Sequence, residues 1–198
     1  VDISTVPQEV LLRLETTDLD GTPSTTASAG EEFFIRVYVK DIRQNGRGVF
    51  AAYLDVTYPA SLVSVADTNI VYASPYENGK AGNLDVSGLI DEAGAFGGTT
   101  ETGPIEKLLL SVRMKADLAG QVTFAGNPAD AIGHQVLVYR SDVPVEWDAV
   151  TIQPANLTVT AGVTAVDDLY NVDEDSTGTT LNVLTNDINE LAGTLIVS

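Results

Sequence analysis

Cysteine is absent from this 198-residue chain. No disulfide framework and no thiolate metal centre can form within it. Histidine occurs once, as His134, which excludes sites built from several imidazoles. Basic residues are scarce: ten Lys and Arg stand against 28 Asp and Glu, for a formal net charge of −18. Such a balance cannot neutralise a phosphate backbone and is repelled by anionic lipid, so nucleic acid is excluded as a partner and membrane surfaces are disfavoured. Long apolar runs are missing too, and nothing approaches the roughly 20 residues that cross a bilayer, so membrane insertion is not expected. No basic segment leading into an apolar one follows the opening Val1-Asp2-Ile3-Ser4. The expectation is a piece of a longer protein whose export signal lies elsewhere.

What is present is apolar and strictly alternating. Hydrophobic residues make up 44% and charged residues only 19%, a composition that packs a core rather than staying disordered. Phe33, Ile35, Val37 and Val39 alternate with Phe34, Arg36, Tyr38 and Lys40. Phe50, Ala52, Leu54, Val56 and Tyr58 alternate with Ala51, Tyr53, Asp55 and Thr57, and Leu108, Leu110, Val112 and Met114 alternate with Lys107, Leu109, Ser111, Arg113 and Lys115. A period of two is the signature of a strand with one face in a core. Shorter strands are expected near Val10–Glu15, Leu62–Val65, Leu84–Leu89, Gln121–Phe124, Gln135–Tyr139, Ala149–Ile152 and Leu157–Thr160. Turn clusters separate them: Asp20-Gly21-Thr22-Pro23, Asn45-Gly46-Arg47-Gly48, Asn78-Gly79, Gly97-Gly98 and Gly126-Asn127-Pro128. No sustained helical stripe occurs, and a short helical turn around Pro128–Ile132 is the most that the pattern permits. The fold class expected is an all-β sandwich.

Composition shifts after Thr160. Residues 161–198 carry seven acidic residues and no Lys or Arg. Ala161-Gly162-Val163-Thr164 has the small side chains of a linker. The reading is therefore a domain over residues 1–160, a linker over 161–164 and a separate segment over 165–198.

Three stretches carry a family resemblance: Gly30–Val39, Gly48–Val65 with its Tyr58-Pro59 turn and Leu62-Val63-Ser64-Val65, and Leu108–Asp117 with Ala119–Phe124. In order and spacing they resemble a cohesin-like domain, the module of cellulosome scaffolds and large bacterial surface proteins. The resemblance implies a jelly-roll type β-sandwich that offers a sheet face to a dockerin, a small calcium-loaded helical partner. Residues 165–198 resemble the opening of a cadherin-like (Ig-like) tandem repeat of bacterial adhesins, through Ala165-Val166-Asp167-Asp168-Leu169-Tyr170, Glu174-Asp175 and Val183-Leu184-Thr185-Asn186-Asp187. The chain stops at Ser198, short of closing such a repeat. Open strand edges are then expected, Leu181–Leu184 above all, either docked on the sandwich or paired with a second copy.

The candidate sites are few. Asp167 and Asp168 follow the linker as the acidic residues of calcium-stiffened cadherin junctions do, with Glu174, Asp175, Asn186 and Asp187 as further calcium ligands if the loops converge. The same residue types also cap turns and keep a segment soluble. Asp18 and Asp20 do not extend into a twelve-residue calcium loop, since Pro23 and Ala29 stand where glycine and glutamate are required. Tyr38 and Tyr53 occupy outward registers and are candidates for a platform contacting a protein or a sugar ring; a cross-strand aromatic pair is the plainer reading. Trp147 reads as a plug at the end of the sandwich.

Catalysis is not expected. His134 enters a strand in Ile132-Gly133-His134-Gln135-Val136, and no serine elbow accompanies it. With 28 acidic residues, two carboxylates at glycosidase spacing arise by chance. With catalysis set aside, the resemblance implies a non-catalytic binding and scaffolding module at the bacterial cell surface or secreted from it. Its alternatives are a carbohydrate-binding module taking polysaccharide, and a calcium-stiffened spacer.

Overall fold

The computed structural model describes residues 6–164, 166–171 and 180–189. Its strands in chain order are β1 Val10–Thr17, β2 Thr26–Ser28, β3 Glu32–Asp41, β4 Val49–Thr57, β5 Val63–Tyr72, β6 Asn78–Asn83, β7 Leu89–Phe96, β8 Lys107–Ala116, β9 Gly120–Pro128, β10 Leu137–Val138, β11 Val150–Gln153, β12 Ala155–Thr160, β13 Val163–Thr164 and β14 Ile188–Asn189. Two sheets face each other. The first runs β11-β1-β3-β8-β5. The second runs β2-β12-β9-β4-β7-β6, with β10 also pairing with β4.

The alternation closes the sandwich. Val10, Leu12 and Leu14 of β1, Ile35, Val37 and Val39 of β3, and Val112 and Met114 of β8 are all buried, and meet Leu54, Val56, Phe124 and Leu157 of the opposite sheet in one core. Each large apolar side chain so buried contributes about 1.5–3 kcal/mol against exposure. Along β8 the register against β3 shifts beyond Val37, pairing Tyr38 with Leu108. Leu109 is therefore fully buried and Leu108 only half-buried, against the simple alternation.

Four local readings are corrected. Leu84–Leu89 is not a strand: residues 84–88 form the connection between β6 and β7. Asn78-Gly79 begins β6 rather than making a turn, because an edge strand tolerates glycine where a central one does not. Gly126-Asn127-Pro128 continues β9 against Leu54–Thr57. A glycine fits there because a Cβ at Gly126 would stand 3.2 Å from Ile152. The short helix is a 3-10 turn at Trp147–Ala149, not at Pro128–Ile132, where Ala131–Gly133 forms a plain turn.

The two sheets approach each other at one side through β5 and β6. Tyr72 donates its hydroxyl to the Ala81 carbonyl, and a Cβ at Gly82 would run into the Ile70 side chain. Beside this seam lies an open trough of about 660 Å³, lined by Asp67, Asn69, Lys80, Asn83 and Asp85 around Tyr72.

The chain beyond Thr160 departs from expectation in two places. Val163–Thr164, read as linker, pairs antiparallel with Ile188–Asn189. Leu181–Leu184, expected to be an open strand, runs into a turn at Val183–Leu184.

Candidate functional site

β4 carries Tyr53 and Asp55 on its outward register. Opposite them the β4–β7 ladder slips: Leu54 pairs with Ala93, but Val56 pairs with Ile90. Asp91 and Glu92 thus face the single residue Asp55, the two-against-one count of a β-bulge, which re-aims side chains. Glu92 takes φ +53, a left-handed conformation that is uncommon for a non-glycine residue. As a result Asp55, Asp91 and Glu92 bring carboxylate oxygens within 4.8 Å of one another.

Hydrogen bonds show what the bulge does. Asp55 accepts the Glu92 backbone N–H at 2.8 Å. Glu92 Oε1 accepts the backbone N–H groups of Asp130 at 2.5 Å and Ala131 at 2.6 Å, while its Oε2 pairs with His134 Nδ1. The His134 ring lies flat on Tyr53, with centroids 4.4 Å apart and planes 4° from parallel. Tyr53 in turn donates to the Gly79 carbonyl at 2.6 Å. Glu92 and Tyr53 together fasten the loop over residues 129–136 across the outer face of β4 and β7.

The charges separate accordingly. Burial raises the pKa of the Asp55 carboxyl, and the neighbouring Asp91, Glu92 and Asp130 push it the same way. Burial also works to raise Glu92, but His134 and the N–H groups of Ala131 and Asp130 outweigh it and hold it below the usual range. Asp130 is raised by its contact with Glu92. Both Glu92 oxygens accept donors from the loop, so this carboxylate serves as the loop's anchor. Among the described residues the His134 side chain hydrogen-bonds to Glu92 alone. Beside this anchor lies a shallow cavity of about 210 Å³ walled by Tyr53, His134, Val145, Glu146 and Trp147. Trp147 packs half-buried against the core there, as a plug would.

The sequence candidates fall apart spatially. Tyr38 stands on the first sheet and Tyr53 on the second, on opposite outer faces, so they form no common platform. Tyr53 is only 5% exposed because His134 covers it, and Arg13 lies 4.3 Å over the Tyr38 ring. Asp18 accepts the Thr22 N–H at 2.8 Å and closes a plain turn. In the acidic segment, Asp187 accepts the Val166 N–H at 2.8 Å, and Asn186 donates its amide to the Asp167 carbonyl at 3.2 Å. Asp168 is exposed, and Glu174 and Asp175 lie outside the described residues. The sequence reading missed Asp91, Glu92, Asp130 and His134 as a group. Their one sequence signal is the pair Asp91-Glu92 breaking the alternation of Ile90 and Ala93.

No family model and no curated protein matches the chain. Solved structures do. A cohesin bound to a dockerin in a type I complex from Clostridium thermocellum superposes with a TM-score of 0.56 at 10% identity, over 81% of this chain and 99% of that one. The seventh ScaB type I cohesin of Pseudobacteroides cellulosolvens gives 0.54 at 10% identity, over 82% and 99%. A non-cellulosomal cohesin of the archaeon Archaeoglobus fulgidus gives 0.52 at 12% identity, over 77% and 91%. No helix among the described residues is long and apolar enough to cross a membrane. At such identities the likeness establishes architecture: this chain has the two-sheet β-sandwich fold of cohesins.

Proposed function

We propose that the chain is a non-catalytic, extracellular scaffolding module of a larger surface or secreted protein, and that it binds a dockerin-like protein partner. The observation that carries this reading is the cohesin sandwich itself, since several of its structural neighbours are cohesins solved with dockerins bound. The outer side of β9, β4 and β7, together with the loop over residues 129–136 that lies across it, is the surface we assign to the partner. It joins an acidic cluster to a small hollow walled by Tyr53, His134 and Trp147, the mix of anchor and polar rim that protein interfaces use. Arg13 covers the Tyr38 ring and His134 covers the Tyr53 ring, so neither tyrosine offers a bare face for a sugar to stack on, which favours a protein over a polysaccharide.

Immobilised dockerins and a glycan array, probed with the same preparation, test this. Retention by at least one dockerin, weakened tenfold or more by Asp91→Lys with Asp130→Lys, is expected. Retention only on glycans would replace the reading with the carbohydrate alternative. For the acidic segment we propose calcium stiffening, on the cadherin-like pattern and on the bonds that bring Asp167 beside Asn186 and Asp187. Oxygen donors of this kind suit a hard cation. Calorimetric titration with calcium checks it; no heat beyond dilution would discard it.

A further inference from the structure

The sandwich is electrostatically two-faced. Five of the ten Lys and Arg residues, namely Arg13, Arg36, Lys40, Arg113 and Lys115, stand on outward registers of the first sheet. Strands β2, β12, β9, β4 and β7 of the second sheet contain no Lys or Arg. Their outer face instead carries Asp55, Asp91 and Glu92, joined by Asp130. A molecule of net charge −18 has thus placed half its cations on one face and none on most of the other.

Each face holds charge that its own neighbours do not settle. On the first sheet Arg13 pairs with Glu15 and Glu106, and Arg113 with Glu32. Among the described residues Arg36, Lys40 and Lys115 form no ion pair, and the Nε atoms of Arg36 and Arg113 are buried without a hydrogen-bond partner. Apolar surface accompanies them: Val71 is 58% exposed, and Phe34 lies half-buried under Arg36. Arginine, aromatic and aliphatic side chains on one rigid face make an interface composition. On the second sheet the carboxylates crowd one another, and a cation brought among them would relieve Asp55 and Asp130.

We propose that these two faces bind each other between copies, the outer face of β1, β3 and β8 in one molecule docking on the acidic side of the next, where Asp91 of β7 and Asp130 of the covering loop stand. The occupant of the basic face is a second copy because the complementary charge is present on the same molecule. The contact is heterologous: one copy uses its basic face and its partner the acidic one, so both remain free to extend the stack. The whole molecules repel through their net charge. At about 0.1 M salt, however, screening acts beyond ~10 Å, whereas pairs in contact survive.

Sedimentation velocity with charge-reversed variants tests this, using Lys40→Glu with Lys115→Glu for the basic face and Asp91→Lys with Asp130→Lys for the acidic face. The wild type should rise above its 20.9 kDa monomer mass with concentration at about 0.1 M salt and return to monomer at about 0.5 M. Each double variant alone should associate at least tenfold more weakly. An equimolar mixture of the two should recover association, because the intact acidic face of one variant meets the intact basic face of the other. Folding of the variants is verified by an unchanged far-ultraviolet dichroism spectrum. A wild type that stays monomeric at millimolar concentration overturns the proposal, as does association indifferent to salt or to both variants. The acidic face is also the one assigned to the dockerin-like partner, and the outcomes separate: a monomer that still binds a dockerin defeats stacking alone, while stacking without dockerin binding defeats the partner alone.

Discussion

Asp41 is the only charged residue among those described that is essentially shut away from solvent, at 1% exposure. Its carboxylate accepts from Arg43 Nε at 2.9 Å and Nη2 at 2.8 Å, and from the backbone N–H groups of Arg47 at 3.0 Å and Gly48 at 3.1 Å. Burial works to raise its pKa, but the Arg43 guanidinium and the N–H groups of Arg43 and Gly48 prevail and lower it. A depressed carboxylate stabilises the fold above its unfolded value of about 3.9, and that contribution disappears as pH falls through the folded value. Asp41→Asn should therefore cost about 2–4 kcal/mol at neutral pH by leaving buried donors poorly matched. The loss, measured by urea unfolding, should shrink steadily as the buffer is taken below about pH 4. A loss independent of pH would show that the charge is immaterial.

At the scale of elements, the long strands were legible and the bulge was not. Alternation through Phe33–Val39 and Ala52–Val56 follows from which side chains must leave water, and the structure keeps it. Asp91 and Glu92 converge on Asp55 only because the ladder slips by one residue, and a slip is a property of two strands rather than of either sequence. The same holds for β6 and for the continuation of β9, where glycines that favour turns are retained in strands by their neighbours. The candidate site was thus legible only in part: Tyr53 and Asp55 were read on the outward register, but not the loop that covers the tyrosine. That loop yields its own prediction. Glu92→Gln should speed amide exchange over residues 129–136 roughly tenfold or more, equivalent to losing about 1.5 kcal/mol of charged hydrogen bonding, with β1 and β3 unaffected. In the unmodified chain the depressed Glu92 holds the loop above about pH 4.3 and releases it as pH falls through its folded value. Emission from Trp147, the single tryptophan, lies beside the anchor and should shift on acidification before the sandwich unfolds. Simultaneous change of both signals would place the loop within the global transition.

At the scale of the whole molecule, the surface charge is arranged by layer. The sequence gives the total, −18, without showing that the sheets divide it, because the strands of each layer are interleaved along the chain. The pairing order also settles how load would travel through such a module. The first long strand, β1, lies parallel to β11, and β2 lies parallel to β12, the last strand of the sandwich. Tension drawn between Val10 and Thr160 therefore acts along these ladders, and their hydrogen bonds must slide past one another together instead of opening in turn like a zip. Stretched by its two ends in a force spectrometer, the module should yield at a markedly higher force than when it is pulled through residues at the tip of a hairpin. A string of such units would behave as a tether whose links resist being drawn out.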